Sequence, residues 1–357
     1  KIMDRYDPSN PSIKWQRQEN RNIGFDASLL NNRINLVVNY YDNDTRNLLD
    51  DKKIAASTGR LSVAANVASV NNRGWEISLR TLNVRTTDFS WVTSVNFTKN
   101  KDKVTETYYQ DLSEVSASTN STFESIYNLY IQGRPVKAFY GYKYAGVDPY
   151  TGNSLAYVDG FDDDGNRLGT LTPEGKYVYN MDNDLTTQLA NSSRGYLGRS
   201  DPPITGGFTT QFNYKRFSLF AQFTYMTGHL ARSFQYYVSG GTTSASARNL
   251  LKIEANRWRK PGDMTDVPKY GTSRTEYLYQ LFDFRFEKGD YLKCNNISLG
   301  YNLDPALCAK LYITRARLNL NMANVFTLTK FRGIDPETKG ALTYPSARTY
   351  SFTLSIG

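Results

Sequence analysis

Histidine is almost missing from this sequence: His229 stands alone among 357 residues. Cysteine is scarce too, with only Cys294 and Cys308. These shortages remove histidine-based metal sites, Cys-rich zinc sites and a disulfide framework from consideration. A Cys294–Cys308 disulfide is not expected, because one cysteine falls in a strand pattern and the other in a turn at its end. Long apolar runs are absent as well, so no transmembrane helix is expected. The opening Lys1-Ile2-Met3-Asp4-Arg5 has no apolar core of a signal peptide. Catalytic groupings are missing in the same way. His229 has no Ser or Cys partner in a recognisable triad, and no pair of carboxylates stands out. Neither an enzyme nor a bound cofactor is expected.

Aromatics are abundant by contrast, at 27 Tyr, 18 Phe and 4 Trp, which excludes a disordered chain. The net charge of +9 raises the question of nucleic acid. Its basic residues are scattered among acidic ones, with no cluster longer than Arg257-Trp258-Arg259-Lys260 and no nucleic-acid-binding motif. No nucleic-acid partner is expected.

The dominant pattern is alternation at period two, recurring in segments of about ten residues. Ile23, Phe25, Ala27 and Leu29 alternate with Gly24, Asp26 and Ser28; Ile34, Leu36, Val38 and Tyr40 follow after Asn31-Asn32-Arg33. Trp75, Ile77 and Leu79 face Glu76, Ser78 and Arg80, and Phe89 to Phe97 continue the design. Phe208 to Tyr214, Phe217 to Tyr225, Ile297 to Leu303, Ala316 to Met322 and Tyr350 to Ile356 repeat it. Helical patterning is confined to 248–258. The fold class is all-β.

Alternation alone fits a soluble sandwich, with one face in a core, as well as a membrane barrel. Three features favour the barrel. Segment lengths suit a tilted bilayer crossing. Tyr40, Tyr41, Tyr214, Tyr225, Tyr291, Tyr301 and Tyr350 lie at segment ends, where interfacial rings belong. Connections alternate between tight turns (30–33, 82–88, 214–216, 302–310) and long polar stretches (46–72, 99–134, 147–203, 227–290, 324–347), as periplasmic turns and extracellular loops do.

Strand direction constrains the count. With both barrel termini in the periplasm, the last strand runs inward, and so does the strand at 22–30. The segment therefore holds an odd number of strands. Nine are evident, and 122–133 and 135–146 predict two more, giving eleven. An odd set cannot close such a barrel alone, so at least one strand is expected before Lys1, and the chain is expected to be a fragment.

Several ordered landmarks resemble the SusC/RagA-type TonB-dependent transporters of Bacteroidetes outer membranes. They include Lys14-Trp15-Gln16-Arg17-Gln18 before Asn22-Ile23-Gly24-Phe25-Asp26, Asn72-Arg73-Gly74-Trp75-Glu76, and Gly133-Arg134-Pro135 before Phe139-Tyr140-Gly141-Tyr142. Gly146-Val147-Asp148-Pro149, Gly206-Gly207-Phe208 and Asn324-Val325-Phe326 extend the match. The resemblance implies that residues 1–357 are the C-terminal portion of a single barrel domain, strands 12–22 of a 22-stranded barrel. The N-terminal plug and the first half of the barrel would then lie outside this chain. It also implies import of glycans or peptides, driven through the TonB complex, with a SusD-like surface lipoprotein as lid. The partners expected are the N-terminal half of the same transporter, that lipoprotein, the TonB complex, outer-membrane lipid and the substrate. A passive outer-membrane channel and a soluble all-β carbohydrate-binding module are the alternatives.

Asp26, Glu76, Arg80, Arg315 and Arg317 are predicted to face the lumen, as contacts to substrate or plug or as a ladder of solvated cross-strand charges. The loop aromatics Tyr236, Tyr237, Trp258, Tyr277 and Tyr279 are candidates to stack on substrate or lid, against internal loop packing. Asp162 and Asp164, in a carboxylate-dense turn, are a weak calcium candidate; the segment fails the EF-hand pattern.

Overall fold

The computed structural model describes residues 10–54, 62–107, 131–158, 170–173, 175–180, 195–233, 252–269, 282–338 and 344–357. The chain begins with four long strands, β1 (Arg17–Leu29), β2 (Ile34–Lys53), β3 (Ser62–Arg85) and β4 (Phe89–Thr107). A long connection then carries six short ones: β5 (Ala138–Gly141), β6 (Lys143–Val147), β7 (Ser154–Val158), β8 (Thr170–Leu171), β9 (Tyr177–Asn180) and β10 (Gly195–Arg199). Long strands resume with β11 (Ile204–Tyr214) and β12 (Phe217–Thr227). The next connection holds β13 (Leu230–Arg232) and β14 (Phe286–Lys288). It is followed by β15 (Tyr291–Asn302), β16 (Ala316–Thr329) and β17 (Thr349–Ile356).

Nine strands make one antiparallel sheet in the order β1-β2-β3-β4-β11-β12-β15-β16-β17. Each pairs with the next long strand in the chain. The sequence predicts about eleven strands, and nine of them stand in this sheet among the described residues. Of the two further strands expected, 122–130 lies outside the described residues, while 135–146 folds into β5 and β6, which belong to separate small sheets. Nine is still odd, so β1 and β17 run the same way and form the two edges.

Cross-strand register explains the alternation. One face aligns Ala27, Leu36, Leu79, Val95, Phe208 and Phe223 in a single row across six strands. Its neighbour on the other face aligns Ser28, Asn35, Arg80, Ser94, Thr209 and Gln222. A one-residue slip anywhere would exchange the two faces, so the pattern fixes the register. Among the described residues no second layer covers the apolar face. Phe25 is 62% exposed and Phe352 69%, and Ile23, Trp75, Tyr214, Leu219, Leu299, Leu320 and Leu354 are exposed beside them. A soluble sandwich would bury this face in a core. Left open over nine strands, it belongs against lipid hydrocarbon, which sets aside the soluble module.

Aromatic rings mark the rim next to the tight turns. Trp91 stacks on Phe212 (centroids 5.4 Å apart), Phe217 lies 4.7 Å from Tyr301, and the Lys215 ammonium sits over Tyr214. The expected girdle needs two corrections. Tyr40 joins it, 4.9 Å from Trp75, but its neighbour Tyr41 points to the polar face, because adjacent strand residues alternate. Tyr291 is buried and, opposite Met226 on β12, also lies on the polar side.

The turns follow their residue chemistry. Leu30, Asn31 and Asn32 take positive φ in the β1–β2 turn, a region that Asn tolerates well. The β15–β16 connection is longer than expected and holds a short helix, α1 (Pro305–Lys310). Asp304 caps it by accepting from the Ala306 N–H, and also pairs with Arg216 from the neighbouring turn. The helix anticipated at 248–258 is, within the described residues, a 3-10 turn at Lys252–Asn256.

Candidate functional site

The polar face is the first part of the site. Glu76 stands between Asn39 and Thr98, Arg80 between Asn35 and Ser94, and Asp26 opposite Val37. All three project from this face. None of the three makes an ion pair among the described residues. Amides and hydroxyls separate the charges instead: Ser28 donates to Asn35 at 2.9 Å, Ser78 to Asn96 at 3.2 Å and Asn213 to Ser90 at 3.1 Å. The result is a polar surface on which charges of both signs are set apart by amides and hydroxyls. Arg317 shares this face near the tight-turn end, but is tied down by Asn319 and the Ser218 hydroxyl, both at 2.9 Å. Arg315 immediately precedes β16, and its backbone N–H and C=O exchange hydrogen bonds with Gly357, continuing the β16–β17 pairing by one residue.

The second part is a body built by the long connections beyond the other rim. β5 pairs with β10, β13 with β14, and β6, β7, β9 and β8 form a four-stranded sheet. Separate connections interlock: the Asp283 N–H donates to the Tyr142 carbonyl, and the Asp283 carboxylate accepts from the Tyr144 N–H at 3.0 Å. Tyr140, Tyr142, Phe282 and Arg285 are almost wholly buried at this junction. Asp102, from the top of β4, holds Arg199 and accepts from the Val136 N–H at 2.7 Å, clamping the body to the wall. Sequence reasoning missed this clamp and this core. The only signal was the run Ala138-Phe139-Tyr140-Gly141-Tyr142, apolar on both sides and too short to show a period.

Trp258 resolves in favour of internal packing. Its indole N–H donates to the Pro149 carbonyl at 2.9 Å, and its ring covers Gly152 so closely that a Cβ there would meet ring carbons at 2.4 Å. Tyr236, Tyr237, Tyr277 and Tyr279, and the carboxylates Asp162 and Asp164, lie outside the described residues. Cys294 and Cys308 are both free thiols.

The turn under Trp258 is organised by Asp148. Its carboxylate accepts from the Tyr150 N–H at 2.9 Å and the Thr151 hydroxyl at 2.7 Å. Burial acts to raise its pKa, but the Thr151 and backbone hydrogen bonds, with the Lys269 charge, outweigh it and hold the group below its ordinary 3.8. A depressed folded pKa contributes stability that is complete above the ordinary value and lost as pH falls through the folded one. The protection of amides in a peptide covering 148–153, taken relative to their pH-dependent intrinsic exchange rates, is therefore expected to fall as pH drops below about 3.8. Asp148→Asn should remove that acid dependence. Elsewhere in the body, burial pushes the Tyr140 hydroxyl up to about 12 despite the lowering effect of Arg134, so it stays neutral.

A cleft of about 380 Å³ opens where these connections meet, lined by Tyr144, Ile253, Asp266, Val267, Phe284 and Phe286. At one end Arg332 pairs with Glu287 at 3.1 Å. This is an apolar recess with charged edges, on the same side of the wall as the long connections.

No family profile matches the chain. It is 25% identical to the TonB-dependent receptor P3 of Formosa agariphila, over 98% of this chain and 35% of that protein. The receptor P39 of the same organism is 29% identical over 92% of the chain, and SusC of Bacteroides thetaiotaomicron 25% identical over 97%. Among solved structures, a chain of the RagAB peptide transporter superposes with a TM-score of 0.75 at 29% identity, covering 98% of this chain and 36% of that one. The chain thus spans about a third of the length of the relatives it matches.

Proposed function

We propose that this chain, an outer-membrane β-barrel segment of SusC/RagA type, forms the C-terminal wall of a TonB-dependent nutrient importer and has no enzymatic role of its own. The observation that carries the reading is the nine-stranded sheet with one face open to lipid and the other wet, in a chain that matches transporters nearly from end to end. The edges β1 and β17 expose unpaired backbone groups, which hydrocarbon does not tolerate, so each pairs with a strand from the N-terminal half of the same transporter.

In this scheme each part has one task. The lipid-facing side anchors the wall. The polar face, with Asp26, Glu76, Arg80 and Arg317, lines the path of the substrate or docks the plug. The interlocked connections form the platform on which a SusD-like lipoprotein closes, and energy coupling to the TonB complex belongs to the plug. Oligopeptides are the first substrate class to test, because the solved relatives are named for peptide transport; glycans are the second.

Mass spectrometry of what purifies with these residues from detergent-solubilised membranes tests the reading. The expected result is a polypeptide carrying a plug and further strands, together with a surface lipoprotein. Recovery of a water-soluble monomer without detergent would overturn it. A plugless, ion-conducting barrel would favour a passive channel.

A further inference from the structure

Like charges directly opposite each other on adjacent strands repel, and sheets avoid them unless something offsets the cost. The outer end of the lipid-facing side carries such a pair: Arg73 on β3 stands opposite Lys101 on β4. Lys99, two residues from Lys101 on the same face, stands opposite Trp75. All three cations are exposed, and none makes an ion pair among the described residues. The nearest carboxylate by register, Asp42, stands opposite Arg73; one of its oxygens accepts from the Asn71 amide at 2.6 Å, and it makes no ion pair with Arg73 among the described residues.

Position gives the cluster its meaning. It begins one row beyond the Tyr40–Trp75 ring pair, where the apolar face ends on the side away from the tight turns. From Val84 to Trp75 that face spans about ten residues of β3, roughly 25 Å of depth at a barrel's strand tilt. The cations therefore sit at headgroup level in the outer leaflet, with exposed aromatic and aliphatic side chains directly beneath them.

We propose that Arg73, Lys99 and Lys101 form a binding site for the phosphorylated headgroup of an outer-leaflet glycolipid, whose acyl chains lie along the apolar rows below. Phosphate oxygens between Arg73 and Lys101 turn a repulsive pair into a bridged one, and Arg supplies a fork of donors that suits them. The proposal rests on the outer-membrane placement of this sheet and not on what the protein transports.

The test uses the full-length protein in mild detergent, mixed with micelles containing lipid A, with bound lipid A counted by native mass spectrometry. Near an anionic membrane surface each Lys or Arg is worth about 1 kcal/mol, so each single neutralisation should weaken retention about fivefold. R73Q/K99Q/K101Q together should weaken it on the order of a hundredfold. R73K/K99R/K101R should retain lipid A, and so should K215Q at the opposite rim. Each variant is first checked for the heat-modifiable mobility of a folded barrel. Equal retention of dephosphorylated lipid A, or undiminished binding by the triple glutamine variant, overturns the proposal. Displacement by inorganic phosphate at the same concentration as lipid A also overturns it, in favour of a site for free anions. Because the readout is lipid retention, failure here leaves the importer reading untouched, and loss of that reading would not change the lipid count.

Discussion

Arginine at position 208 is expected to block barrel assembly, whereas arginine at 209 is tolerated. Phe208 is central in β11, stacked on Phe223 with centroids 4.5 Å apart and flanked by Val95 on the apolar face. A cation there must cross or deform hydrocarbon, which costs about 2–4 kcal/mol near the bilayer midplane. The lost ring packing adds to that, and together they lower the folded fraction by a factor on the order of a hundred or more. Thr209 is the next residue, but its side chain lies between Ser94 and Gln222 on the wet face, where a guanidinium keeps its water. The comparison holds strand, depth and residue type constant and changes only the face. Guanidinium unfolding of the two full-length variants in lipid vesicles measures the difference. Equal destabilisation by both would mean that the faces have been assigned wrongly.

The contrast between these neighbours also shows why the wall was legible from the sequence. Each wall strand has lipid on one side and water on the other, so period two is forced on it, and the hairpin turns add the register. Direct pairings such as Phe25 with Val38 and Leu299 with Leu320 then follow. The body beyond the rim obeys no such rule. Ala138–Gly141 is buried on both sides and pairs with Gly195–Arg199, far along the chain, so neither alternation nor a nearby turn announces it. That is why 135–146 reads as a wall strand when it is not one. Period two also puts Asp26, Glu76 and Arg80 on one face, and their strand pairings keep them there. The sequence could not reveal that Trp258 is spent on Gly152 and Pro149, because that contact joins two separate connections.

Gly74→Ala is expected to be among the most damaging of the small substitutions, and to be coupled to Tyr41. The Tyr41 ring lies across Gly74 so that its hydroxyl reaches Asn100 on the third strand, donating at 2.9 Å. A Cβ on Gly74 would come within 2.5 Å of that hydroxyl and 2.4 Å of the Lys99 carbonyl oxygen. Glycine here is not serving a turn; it opens a slot for a ring that spans three strands, an arrangement that also restores the packing glycine lacks. Overpacking of this kind costs about 1–3 kcal/mol, and the Lys99 carbonyl, being backbone, cannot rotate away. Tyr41→Ala alone loses the ring and leaves the slot empty. In the double variant the clash with the hydroxyl is gone and only the carbonyl contact persists. The two changes should therefore fall short of additivity by about 1 kcal/mol or more. Unfolding free energies for the four proteins of the cycle, measured in vesicles, decide the matter. Strict additivity would show that the ring does not occupy the glycine slot.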